Sequence, residues 1–248
     1  MATTTVAPGP DAQPQSAMGR LVGVFFSPKK TFGEIAARPS WLAPFAIIIL
    51  LGSLAGFFVI QKTDWRSFFE RQMSQNSRFD QMSQEQKDRI LDQQMKYGPT
   101  IGMVAVPIAT ACIVLLAALV YWGGFNLFAG AGLGFGQSFG ITSHAFLPTT
   151  IGSILAAITA ALKSPGDVDP EHPLASNVAA FLPDGSPHWL DVLGKFLDIF
   201  SIWFLVLLAI GFAAANPRKV KPGTAFGVVF GIWAAFIVIR VGLAWVFS

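Results

Sequence analysis

Long apolar runs separated by polar or glycine-rich stretches dominate this chain. A helix needs about 20 mainly apolar residues to cross a hydrocarbon core of ~30 Å. Five stretches meet that length, at about residues 42–60, 101–122, 141–162, 196–215 and 225–247. The pattern predicts an all-α fold, a polytopic membrane bundle of five transmembrane helices with short interfacial and extramembrane helices. Pro44, Pro107 and Pro148 fall inside the runs. They do not argue against helix, because neighbouring helices re-satisfy the freed backbone groups. Gly52/Gly56 and Gly227/Gly231 stand at GxxxG spacing, for which close packing inside the bundle is the plain reading and a dimer seam the sharper one.

Outside the runs the pattern changes. Residues 1–18 are rich in Ala, Thr, Pro and Gln and read as a disordered tail. They lack the basic stretch and apolar core of a cleavable signal peptide. Residues 19–41 read as an interfacial amphipathic segment. Ser27 caps, Pro28 takes the first helical position, and Arg38-Pro39 stops the helix. Phe32 and Ile35 share one face, with Lys29 and Lys30 opposite, as in a helix lying on the membrane surface. The rest, residues 42–248, forms the five-helix domain. Within it, residues 61–100 make an extramembrane helical loop with seven basic and six acidic side chains. Trp65, Phe69 and Met73 recur every four residues there and form a candidate interaction surface. Ser83-Gln-Glu-Gln86 is a capping box that opens a second helix toward Met95. A solvated cap over the bundle is the simpler use of this loop.

Composition agrees with a membrane protein: 53% hydrophobic, 12% charged, 23 Phe and 7 Trp. A net charge of +3 from 17 basic and 14 acidic residues does not suggest nucleic acid. Cys112 is the only cysteine, so no intramolecular disulfide is available. Arg20, Lys29, Lys30, Arg38, Arg218, Lys219 and Lys221 lie on one side if the N-terminus is cytoplasmic. The acid-rich third loop (Asp167, Asp169, Glu171, Asp184, Asp191) and the C-terminus then lie on the far side. The basic residues of 61–100 run against that orientation, which is nevertheless the expected one. If the source is bacterial, the membrane is the inner one.

Little chemistry is visible. There is no G-x-S-x-G and no HExxH. The run Gly130–Gly136 lacks the G-K-[ST] ending of a phosphate loop and reads as a tight turn or a buried re-entrant stretch. His172 and His188 lie near Asp169 and Glu171 without a metal-ligand spacing. His144, at the head of the third span, is a candidate polar site together with Asn126. A lone His near an interface, however, usually bonds a backbone carbonyl. Asp198 and Arg240 are ionisable groups placed inside spans. Arg240 lies about seven residues from its expected helix end and Asp198 about two from its own. That depth gap of roughly 7–8 Å predicts a candidate intramembrane ion pair. No catalytic residue, cofactor or metal is expected, and the chain is read as not an enzyme.

The segment FSPKKTFGEIAARPSWLAP, from Phe26 to Pro44, resembles the opening of the Yip domain family of five-span membrane proteins. Gly134-Phe-Gly-Gln-Ser-Phe139 through Ala145-Phe-Leu-Pro148 resembles the family's glycine-to-proline stretch. The resemblance covers roughly 19–248 and implies five helices with a cytoplasmic N-terminus. Eukaryotic relatives interact with prenylated Rab-type GTPases in ER–Golgi traffic. With only about 40 residues before the first span, this chain looks more like the bacterial members, and a GTPase partner comes only by analogy. The expected partners are the lipid bilayer and other membrane or membrane-associated proteins. The function expected first is a scaffold, assembly or membrane-organisation role. A small-solute or ion transporter or channel using Asp198 and Arg240 is the alternative.

Overall fold

The computed structural model describes residues 15–74, 79, 81–183 and 185–246. Most of the expected tail (1–14), Asp184 and Phe247 lie outside the described residues. Those described form ten α-helices and one short 3₁₀ turn: α1 (Ala17–Phe26), α2 (Pro28–Ala37), α3 (Leu42–Lys62), α4 (Trp65–Ser74), α5 (Gln84–Ala129), α6 (Phe135–Ala145), α7 (Leu147–Leu162), the turn Val178–Phe181, α8 (His188–Phe196), α9 (Ile199–Ala215) and α10 (Pro222–Val246). The fold is an all-α membrane bundle.

The chain runs between the two ends of the bundle five times, with α3, α5, α6–α7, α9 and α10. Two ties mark one end: Gln137 Nε2 donates to Ala36 O, and Asn216 Nδ2 donates to Ala131 O, both at 2.8 Å. At the other, Lys62 Nζ donates to Lys163 O at 2.9 Å, and Ser176 meets Asp198. Four passes are helices long and apolar enough to cross a membrane: Leu42–Lys62, Gln84–Ala129, Phe135–Leu162 and Pro222–Val246. The fourth pass, α9, has 17 residues and is about 25 Å long. It is short of the expected span, so a fifth crossing is not established.

Burial explains how α9 can be short. Phe204, Leu205, Leu207, Leu208, Ala209 and Phe212 are all buried, and α2, α6, α7 and α10 pack around it. A helix wrapped by protein does not have to match the lipid thickness on its own. Phe212 stacks on Phe125 of α5 with ring centroids 4.0 Å apart.

Three expectations near the N-terminus are corrected. Residues 17–26 are helical, and the Ser16 side chain caps that helix by accepting from Gly19 N. Helix α2 starts at Pro28 and ends before Arg38 as expected, but Ser27 makes no side-chain cap hydrogen bond. Nor does α2 rest on the membrane surface by its apolar face. Phe32 and Ile35 are fully buried in the same core as α9. Two glycines make the room: a Cβ on Gly211 would lie 3.1 Å from the Phe32 ring, and one on Gly140 would lie 3.3 Å from Ile35. The amphipathic face was legible, but the partner it covers is protein.

The capping box at Ser83 forms as predicted. The helix it opens does not stop near Met95. It runs through Pro99 and Pro107 into the membrane pass, making α5 a single helix of 46 residues. The third expected span is instead two helices that meet at Phe146, where Pro148 falls in the first turn of α7.

Candidate functional site

A cavity of about 1180 Å³ opens at the end of the bundle that carries α1 and α2. Its floor is apolar, with Ile210, Ala213 and Ala214 of α9 and Phe226 of α10. Its wall is basic: Arg20, Lys29, Lys30 and Arg38 face it, with Glu34 as the only acid among the described lining residues. Lys29, Lys30 and Arg38 are exposed, whereas Arg20 is 93% buried, with a relative exposure of 7%. Arg20 Nη1 donates to Arg38 O at 2.9 Å and to Ser40 Oγ at 2.8 Å, while its Nε is enclosed without a hydrogen-bond partner. The Glu34 carboxylate accepts from Gln15 N instead. No described carboxylate lies within ion-pair distance of Arg20. Sequence reasoning used Arg20 only for orientation. The signal that was available is one charge beside the apolar run LVGVFF.

A smaller cavity of about 520 Å³ lies at the opposite end, lined in part by Trp65, Thr149, Ser153, Asn177 and Asp198. Asp198 is therefore beside a cavity, but it is not paired with Arg240. One carboxylate oxygen accepts from Ser201 N at 2.8 Å, capping α9, and the other accepts from Ser176 Oγ. Arg240 is exposed on α10. Among the described residues no ion pair joins the two, which corrects the expectation. A carboxylate at a helix N-terminus finds its partners in backbone N–H groups, as Asp198 does with Ser201 N.

His144 is buried, with Nδ1 2.8 Å from Gly140 O. It is the carbonyl-bonded histidine that its position suggested. Asn126 holds the glycine-rich turn: its Oδ1 accepts from Leu133 N at 2.9 Å, and its Nδ2 donates to Leu133 O at 3.0 Å. Trp122 Nε1 donates to the same carbonyl at 2.8 Å. Gly130 and Gly132 take positive φ angles of 55° and 65°, so Gly130–Gly136 makes a turn between α5 and α6 and then opens α6. His144 and Asn126 do not converge on one site.

Trp65, Phe69 and Met73 are used within the chain. Phe69 and Met73 are buried, α4 packs on α5, and Trp65 Nε1 donates to Ile60 O at 2.9 Å. A Cβ on Gly98 of α5 would lie 2.8 Å from the Phe69 ring. The predicted interaction surface is covered by the protein's own helix. An apolar stripe at helical spacing looks the same whether its partner is internal or external.

Glu171, His172 and Asp191 place one ligand atom each within 4.8 Å of the others. His188 is exposed and does not join them. Lys195 Nζ already sits 2.8 Å from both Glu171 Oε2 and Asp191 Oδ2, filling the place a cation would take. Burial lowers the Lys195 pKa, but its hydrogen bonds to Asp191 and Glu171 outweigh that, so it lies above the ordinary lysine value.

The sequence of this chain has its counterpart among known families. The model of the Yip1 domain matches residues 22–243. The chain belongs to the Yip1 domain family. It is also similar to the membrane protein YknW of Bacillus subtilis (strain 168), 27% identical over 217 residues, with 87% of each chain covered. No solved structure matches it. Membership carries the multi-pass membrane character and leaves the molecular role to be argued from the site.

Proposed function

We propose that this Yip1-domain protein is a non-enzymatic scaffold or assembly factor of its membrane, with α4 and the first turns of α5 as the arm that engages a partner protein. The observation that carries this reading is the length of α5. Its 46 residues extend about 69 Å, roughly twice a hydrocarbon core of ~30 Å. The helix therefore stands well clear of the bilayer. Glu85, Asp88, Arg89, Asp92 and Lys96 are exposed along it, while α4 braces only one of its faces through Phe69 and Met73. A rigid, charged projection of this kind suits a partner with complementary charge.

The orientation that goes with this reading has the N-terminus and the basic Arg218–Lys221 turn in the cytoplasm, with the C-terminus and the arm on the far side. The bacterial relative favours the cytoplasmic membrane as the site of action. A transport route through Asp198 and Arg240 ranks second, because Asp198 serves as a helix cap and Arg240 lies on the exterior of α10.

Purification of the tagged protein from its native membrane in mild detergent tests the proposal. A stoichiometric protein partner is expected, and it should be lost in an E85A/D88A/D92A variant that keeps its helix content and unfolding temperature. If no protein accompanies the wild type reproducibly, or if the variant retains its partner fully, the scaffold reading fails. Liposome flux would then be the next measurement.

A further inference from the structure

Around the cavity beside α1 and α2, four cationic side chains face a single acid among the described lining residues. Arg20 is nine-tenths buried, carries an enclosed and unpartnered Nε, and has no described carboxylate within ion-pair distance. An uncompensated cation beside apolar walls is expensive unless an anion joins it. Lys29 and Lys30 stand at the first turn of α2, and Ser27 does not cap that turn. That first turn, with the Lys29 and Lys30 N–H groups left without a side-chain cap, is itself part of the cavity wall. Glu34 is the sole acid among the described lining residues, and its carboxylate is turned to Gln15 N. The floor behind these groups is hydrocarbon: Ile210, Ala213, Ala214 and Phe226.

An occupant must accordingly be anionic at one end and apolar over the rest. We propose that the cavity binds an anionic phospholipid of the surrounding bilayer. Lys29, Lys30 and the uncapped first turn of α2 hold its phosphate, Arg20 adds positive potential from its place beside Arg38 and Ser40, and an acyl chain lies along α9 toward Phe226. The bilayer is the one reservoir that presents such a molecule at this depth. Juxtamembrane lysines are the groups that anionic leaflets recognise.

The full chain in neutral detergent micelles is titrated with dioctanoyl phosphatidylglycerol, following the unfolding midpoint and, by native mass spectrometry, the occupancy. Phosphatidylglycerol is expected to bind and raise the midpoint, with affinity that falls as salt rises. K29Q/K30Q alters two exposed side chains and is expected to keep the fold while weakening binding roughly thirty-fold. A214W, which fills the floor, is expected to weaken binding with the lysines intact. Should A214W not fold, I210A removes apolar contact from the same floor and is expected to weaken binding. Equal binding of dioctanoyl phosphatidylcholine would overturn the proposal, because charge would then play no part. An equal shift from inorganic phosphate would overturn it too, showing a free-phosphate site. So would unchanged affinity in K29Q/K30Q.

Discussion

Asn126 and Leu133 are joined twice: the Asn126 carboxamide accepts from the Leu133 amide and donates to the Leu133 carbonyl, at 2.9 and 3.0 Å. A side chain on α5 thus does for the glycine-rich turn what a neighbouring strand does for an edge. It satisfies both backbone groups of Leu133, a buried residue. Asn126→Ala leaves the Leu133 N–H without this partner and is expected to lower stability by about 2 kcal/mol. Asn126→Asp keeps the acceptor but loses the donor. It also sets a carboxylate oxygen against the Leu133 carbonyl, so its loss should be no smaller than that of Asn126→Ala. Thermal unfolding in detergent would show this; equal stability of wild type and Asn126→Ala would refute it.

Gly211 sets how close α2 comes to α9. A Cβ there would lie 2.6 Å from Ile141 Cγ2 and 3.1 Å from the Phe32 ring. Gly211→Ala is expected to destabilise by roughly 1–3 kcal/mol through overpacking. Gly227 of α10 has nothing within 4 Å of its Cβ position, and Gly227→Ala should be neutral or slightly stabilising. Comparing the two variants by unfolding temperature separates packing from helix propensity.

Asp198 and Arg240 act independently. Asp198→Ala removes an N-cap and is expected to cost about 1 kcal/mol, and Arg240→Gln should have little effect on folding. In a double-mutant cycle the two should add to within about 0.5 kcal/mol. A larger coupling energy would show that the charges communicate after all.

Lys195 contributes a pH-dependent tie between α8 and the loop at Glu171. Its folded pKa is raised above the ordinary 10.5. The stabilisation is therefore fully present below the unfolded value and is lost as pH rises through the folded one. Lys195→Met should cost no more than about 1 kcal/mol at neutral pH, since the cluster is partly exposed. The gap between wild type and variant should close only above pH 10.5. A gap that is unchanged at strongly alkaline pH would count against the assignment.

Residues of each kind differ in how far they could be read in advance. The apolar runs, the Ser83 box, the Pro28 start and the Arg38-Pro39 stop are local: propensity, capping and hydrophobic length act within a turn or across one span. From them the sequence by itself determined an all-α membrane bundle, the sites of some helix ends and the family. It could not say what each apolar face meets, since Phe32 would look the same against lipid or against Gly211, and Phe69 the same against a partner or against Gly98. Nor could it show that Asp198 looks inward to its own helix while Arg240 looks out, because depth along two helices says nothing of their rotation. Tertiary structure alone decided these, together with the isolation of Arg20 at the wall of a hydrocarbon-floored cavity. Charge compensation and close packing depend on which surfaces meet in space, and such meetings are long-range in the chain.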